Sequence, residues 1–144
     1  MIRIICVGKI KETFYKEAIE EYLKRLQKYH KIIIDEIIDS DIKTEGKIIL
    51  EKIKEKDYVI TLEITGKEMN SLKFSEYLNK TFIINSNITF IIGGSDGLDN
   101  KVKERANYKI SFSKLTFPHQ LFRVILLEQI YRSFKIINNE TYHK

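Results

Sequence analysis

The sequence predicts one α/β domain, a mostly parallel sheet with helices on both faces. Three observations carry this expectation. Runs of β-branched apolar residues alternate with runs of helical period along the chain. The strand-like runs are apolar at consecutive positions, which marks strands covered on both sides. The chain has 144 residues and shows no repeat, low-complexity stretch or linker, which suits a single domain.

Ile2–Val7 is the first strand, closed by Gly8-Lys9. A helix follows, with Phe14, Ala18, Tyr22 and Leu26 on one stripe and Tyr15, Ile19 and Leu23 beside it. Its wet face carries Lys16, Glu17, Glu20, Glu21, Lys24 and Lys28. Ile32–Ile38 reads as the second strand, Asp39–Glu45 as a polar loop and Ile48–Ile53 as a short helix. Tyr58–Leu62 is the third strand, ended by Gly66, and Leu72–Phe82 the next helix. Ile88–Ile92 is the fourth strand and runs straight into Gly93-Gly94-Ser95-Asp96-Gly97. Asp99–Ala106 is a short polar helix and Tyr108–Phe112 a weakly marked fifth strand. Pro118 opens a long helix to about Phe134, because its missing N–H would be unpaired in a first turn anyway.

Composition narrows the class. Hydrophobic residues make up 43% and charged residues 31%, as in a globular chain. No apolar run approaches the ~20 residues that span a bilayer. The apolar N-terminus is too short for a secretory leader, so a cytoplasmic location is expected. The single cysteine, Cys6, sits in an apolar run and reads as a buried reduced thiol. No Cys/His/carboxylate spacing suggests a metal site. The formal charge of +5 suits a polyanionic partner. It does not establish one, because abundant Lys, Ile and Asn also follow from an A/T-rich genome.

Four places can carry chemistry. The glycine cluster after the fourth strand lets the backbone turn sharply and approach a ligand, although a plain tight turn explains it equally well. It lacks the Lys-Ser/Thr of a phosphate loop, and it follows the wrong strand for a dinucleotide fingerprint. The segment Ser111–Pro118 joins a strand to a helix, and its backbone groups need partners outside regular structure. A purine edge suits such groups, with Leu115 and the phenylalanines against its faces; an ordinary loop pinned by two aromatics is the alternative. The last helix is apolar around most of its circumference, which implies a symmetric dimer through it or a helix internal on every side. Glu128 and Arg132 within it read as a simple surface ion pair. The tail Tyr142-His143-Lys144 is of a kind usually disordered, but it offers a ring to stack on a base and groups for phosphate or a proton. His30 reads as structural, as does His119 beside the Ser111–Pro118 segment.

Taken together these segments resemble the ribosomal RNA large-subunit methyltransferase H family, a minimal SPOUT enzyme. The resemblance rests on Val7-Gly8-Lys9; Thr61–Lys67; Phe90–Leu98; Ser111–Gln120; Arg123-Val124; Glu128–Arg132; and Tyr142–Lys144, in the family's order. Asp39–Ile53 departs from the family in looking shortened, while keeping Glu45-Gly46. The resemblance implies a deep trefoil knot in the C-terminal part, with S-adenosylmethionine bound bent within it. It implies cofactor contacts at Leu62, Gly93, Phe112, Ser113, Lys114, Leu115, Thr116 and Phe117. It also implies a homodimer through the C-terminal helix, and N3 methylation of pseudouridine 1915 in 23S rRNA of the assembled ribosome. In that reaction Arg132 is expected to stabilise developing negative charge, Tyr142 to stack on the base, and His143 or His119 to accept the proton. Two other readings remain at this point. One is a non-catalytic ribosome-associated module of the same fold; the other is a small metabolic enzyme with a nucleotide in the glycine loop.

Overall fold

Branched apolar residues favour a pleated surface packed on its faces, and the five runs rich in them form one sheet. β1 (Ile2–Val7), β2 (Ile32–Ile37), β3 (Tyr58–Glu68), β4 (Ile88–Ile92) and β5 (Tyr108–Ser111) lie in the order β2-β1-β4-β3-β5, every pair parallel. Between them run α1 (Thr13–Leu26), α2 (Ile42–Lys52), α3 (Ser71–Ile84) and α4 (Asn100–Arg105), and α5 (His119–Ile137) follows β5. The computed structural model describes residues 1–143; Lys144, the end of the tail motif, lies outside them.

Successive side chains of a strand point to opposite faces, and both faces are covered here. Ile2, Ile4, Cys6, Ile60, Ile88 and Phe90 belong to one core with Leu26 of α1, Leu78 of α3 and Leu126, Leu127 and Ile130 of α5. Ile5, Val7, Val59 and Ile91 pack in a second core with Ile49 of α2 and Val102 of α4. Each fully buried isoleucine stabilises the domain by roughly 1.5–3 kcal/mol over an exposed one, so β1 and β4 dominate the packing. Cys6 lies in β1 with its thiol pushed up to about 12 by burial, hence protonated and inert. His30 stacks on Phe82 at 4.3 Å and near Phe134 at 5.4 Å, a structural role as expected.

Three elements differ from the sequence reading. The polar stretch 39–45 is not all loop, because α2 begins at Ile42. Asp41 caps it by accepting the Thr44 N–H at 2.9 Å, satisfying an orphan donor of the first turn. Pro118 stands at the N-cap, one residue before α5, and the helix runs on to Ile137 rather than Phe134. A turn then closes it, with Asn139 at φ 55° and the Glu140 N–H donating to the Lys135 carbonyl at 2.8 Å.

The third difference shapes the site. β3 continues past Leu62 to Glu68, but its register on β5 jumps, so that Leu62 and Lys67 both oppose Ile110. Glu63–Gly66 therefore leave the ladder as an arch. Gly66 does not end the strand. A Cβ there would lie 2.7 Å from the Ile110 carbonyl carbon and 2.8 Å from its nitrogen, so glycine is what lets β3 rejoin β5.

Candidate active site

Ligands of parallel α/β sheets sit beyond the carboxyl ends of the strands. A cavity of about 360 Å³ opens at that end of β3, β4 and β5, within the size range of small-molecule sites. Its walls are Leu62 and the β3 arch, the glycines after β4, the loop from Phe112 to Phe117, and His119 and Phe122 of α5.

The glycine cluster is both a tight turn and a wall of this cavity. Gly97 adopts φ +83° and donates its N–H to the Gly94 carbonyl at 3.1 Å. At Gly93 a Cβ would meet the Gly97 oxygen at 2.9 Å, so no side chain fits between the turn and the strand end. Beneath lies Glu45, only 4% exposed, which accepts the Ser40 N–H at 2.8 Å. Burial, with Asp39 and Asp96 nearby, holds the Glu45 carboxyl above its ordinary range.

The β5–α5 loop is anchored at its base and open above. Phe112 packs edge-on to Phe74 at 5.5 Å and near Phe122 at 5.4 Å. The Ser111 hydroxyl donates to the Ser113 carbonyl at 3.0 Å, and the Leu115 N–H donates to the Ser113 hydroxyl at 2.9 Å. No backbone–backbone hydrogen bond ties residues 113–117 to another element among the described residues. Apart from the Ser113 carbonyl and the Leu115 N–H, their amides and carbonyls are therefore available to a ligand. Leu115 is 72% exposed, an unpartnered apolar side chain at the cavity's edge.

Of the expected cofactor residues, Leu62, Gly93, Phe112, Ser113, Leu115, Thr116 and Phe117 line the cavity. Lys114 does not. It borders a shallow depression beside Met69 and Asn70 instead. Sequence reasoning missed Glu63 and Lys103, which face the cavity as an ion pair with N···O 3.5 Å. It also missed the part played by Arg123. That side chain is 1% exposed and donates to the Gly8 carbonyl at 2.6 Å, the Val7 carbonyl at 3.1 Å and Glu36 at 2.6 Å. It ties the end of β1 to α5 and so fixes where His119, at the cavity wall, begins its helix.

Arg132, Tyr142 and His143 form a second cluster. Arg132 pairs with Glu128 at 3.3 Å and donates to His143 Nδ1 at 3.1 Å, with its guanidinium 4.8 Å from the Tyr142 ring centre. The Tyr142 hydroxyl donates to Glu128, and that bond, with burial, pushes its pKa above the ordinary tyrosine value, so the phenol remains a donor. Its ring packs edge-on to Tyr131 at 5.1 Å. The tail is thus folded back on α5, and Glu128–Arg132 is more than a surface pair. Since guanidinium only donates, Nδ1 of His143 accepts and its proton sits on Nε2. In this contact His143 presents a donor outward, not a base. None of the three lines the cavity, and Arg132 lies ten residues, roughly 15 Å along the helix axis, beyond Phe122.

α5 also leaves one stripe outside the core. Leu121, Ile125, Glu128 and Arg132 recur at helical spacing and are half-buried, while Arg123, Leu126, Leu127 and Ile130 are buried. The reading of α5 as a helix internal on every side does not hold. No group of His, Cys, Asp and Glu among the described residues could hold a metal ion. No described helix is long and apolar enough to cross a membrane.

Comparison with known proteins bears on this arrangement. A family profile described as "Predicted SPOUT methyltransferase" matches residues 1–143. The ribosomal RNA large subunit methyltransferases H of Clostridium perfringens, Clostridium tetani and Clostridium botulinum are each 50% identical over 157 aligned positions, covering 99% of both chains. The alignments exceed this chain's 144 residues, so these relatives carry residues it lacks. A probable methylase family protein from Haemophilus influenzae superposes with TM-score 0.60 at 10% identity, over 99% of this chain and 70% of that one, which speaks to the fold alone.

Proposed function

Because this chain belongs to the ribosomal RNA large subunit methyltransferase H family of SPOUT methyltransferases, we propose that it methylates N3 of pseudouridine 1915 in 23S rRNA of the assembled ribosome, with S-adenosylmethionine as donor. The observation that carries this reading is the cavity at the strand ends, walled by a glycine turn and by a loop with free backbone groups. An adenine can pair its edge with those amides and carbonyls while Leu115 and Phe117 cover its faces. Gly93, on the cavity wall, presents backbone and no side chain to a ribose. The residues present therefore fit the donor.

When bound, the donor supplies an electrophilic methyl on a positively charged sulfur, which needs no further activation by the protein. The protein must align the target nitrogen with that methyl and favour its deprotonated form. Negative charge on N3 spreads to the two neighbouring carbonyl oxygens. Arg132 and the Nε2–H of His143 are donors suited to those oxygens, and the Tyr142 ring is placed to stack on the base. His119, at the cavity wall, or a water then takes the proton; His143 can do so only by releasing Arg132.

The separation of about 15 Å along α5 supports a homodimer in which the cluster of one copy lies over the cavity of the other. The half-buried stripe of Leu121 and Ile125 supports α5 as its seam. A trefoil knot through the C-terminal loops belongs to the same reading. Transfer of labelled methyl from S-adenosylmethionine into ribosomes lacking the modification tests it. Ala in place of Arg132, Tyr142 or His143 is expected to cut the rate of transfer far more than donor affinity. Equal loss of both, or of neither, would reject those roles.

A further inference from the structure

We propose that Glu63 and Lys103 form the receptor for the amino-acid end of the methyl donor, Glu63 taking its ammonium and Lys103 its carboxylate. The inference rests on the reading of the cavity as the donor site and names two residues that reading leaves without a role. Apart from His119, they are the only ionisable side chains on the cavity wall among the described residues. The remainder of the wall is apolar, hydroxyl-bearing or glycine, suited to a nucleoside but not to a zwitterion.

The geometry shows a pair held in position but not saturated. The Glu63 side chain is only 10% exposed, and a largely buried carboxylate is unfavourable unless its oxygens are well paired. One oxygen accepts the Thr61 hydroxyl at 2.7 Å. The other stands 3.5 Å from the Lys103 ammonium, longer than the roughly 2.7–2.9 Å of a tight charge-assisted bond. Lys103, 37% exposed, retains donors for another partner. The position is built by the fold. The register jump after Leu62 lifts Glu63 out of the β3–β5 ladder toward the cavity, a use of strand irregularity common beside active sites. α4 brings Lys103 to the same wall. A carboxylate and an ammonium side by side match an ammonium and a carboxylate on one ligand carbon.

Calorimetry on the full chain separates this role from a structural one. S-adenosylmethionine and S-adenosylhomocysteine both carry the zwitterion; 5′-methylthioadenosine has the nucleoside and sulfur without it. Lys103→Met and Glu63→Gln are each expected to weaken the first two ligands by about tenfold and leave methylthioadenosine within about twofold. Lys103 is exposed enough for its variant to fold, and melting curves verify both proteins. An equal loss for all three ligands, or no loss for any, would overturn the assignment. If the unaltered protein binds none of the three, the donor site itself is refuted, a result distinct from failure of the pair.

Discussion

Gly66→Ala tests whether the break in β3 is as tight as the geometry shows. The added methyl would lie 2.7, 2.8 and 2.9 Å from three backbone atoms of Lys109 and Ile110, where an unstrained contact begins near 3.4 Å. Those atoms belong to β5, and Ile110 is fully buried, so no flexible side chain can swing aside. Overpacking of this kind costs about 1–3 kcal/mol, and the lost chain entropy of glycine offsets about 0.4–1 of it. The net destabilisation is about 1–2 kcal/mol, or roughly 3–8 °C in the melting temperature of a domain this size. Gly97→Ala is the contrast. Nothing lies within 4 Å of its added methyl, and only φ +83° is unfavourable, a cost of about 1–2 kcal/mol without displacing β5. Thermal unfolding by circular dichroism reads stability, and calorimetry with S-adenosylmethionine reads the arch. Gly66→Ala is expected to lower both. An unchanged or raised melting temperature would refute the close approach and with it the account of how the arch is held.

Two further predictions follow from buried charge and exposed surface. Glu45 has its carboxyl raised by burial, so its contribution to stability is complete below the ordinary carboxylate value and is lost as pH climbs through the raised one. Glu45→Gln, which can still accept the Ser40 N–H, should therefore raise the melting temperature at pH 7–8 and leave it unchanged near pH 4; a gain of equal size at both would contradict the assignment. Ile125→Glu places a charge on the half-buried stripe of α5. Sedimentation is expected to show monomer where the unaltered chain shows dimer, and a monomeric unaltered chain would remove the seam.

Much of this fold is legible in the sequence, because two buried faces force continuous apolar runs and the period separates them from helices. Ile2–Val7 and Ile88–Ile92 match the expected bounds to the residue. The missed start of α2 had a local signal, Asp41 as a cap three residues before Thr44. The register jump in β3 had none, since Gly66 reads as a stop unless the partner strand is in view. The cavity loops were legible because glycine turns and a segment without regular pairing leave marks in sequence. Lys114 lines the neighbouring depression while residues on either side of it line the cavity, a difference set by the loop's actual path. Glu63 and Lys103 lie 40 positions apart on a strand and a helix, so their meeting depends on topology alone.

On the proposed function, this cavity delivers a methyl group to one pseudouridine of the large ribosomal subunit. Mass mapping of 23S rRNA from cells lacking this protein, with and without the protein restored, tests it most directly. The fragment containing position 1915 is expected to lose the mass of one methyl group and regain it on restoration. An unchanged fragment, or a methyl lost from a different site, would contradict it.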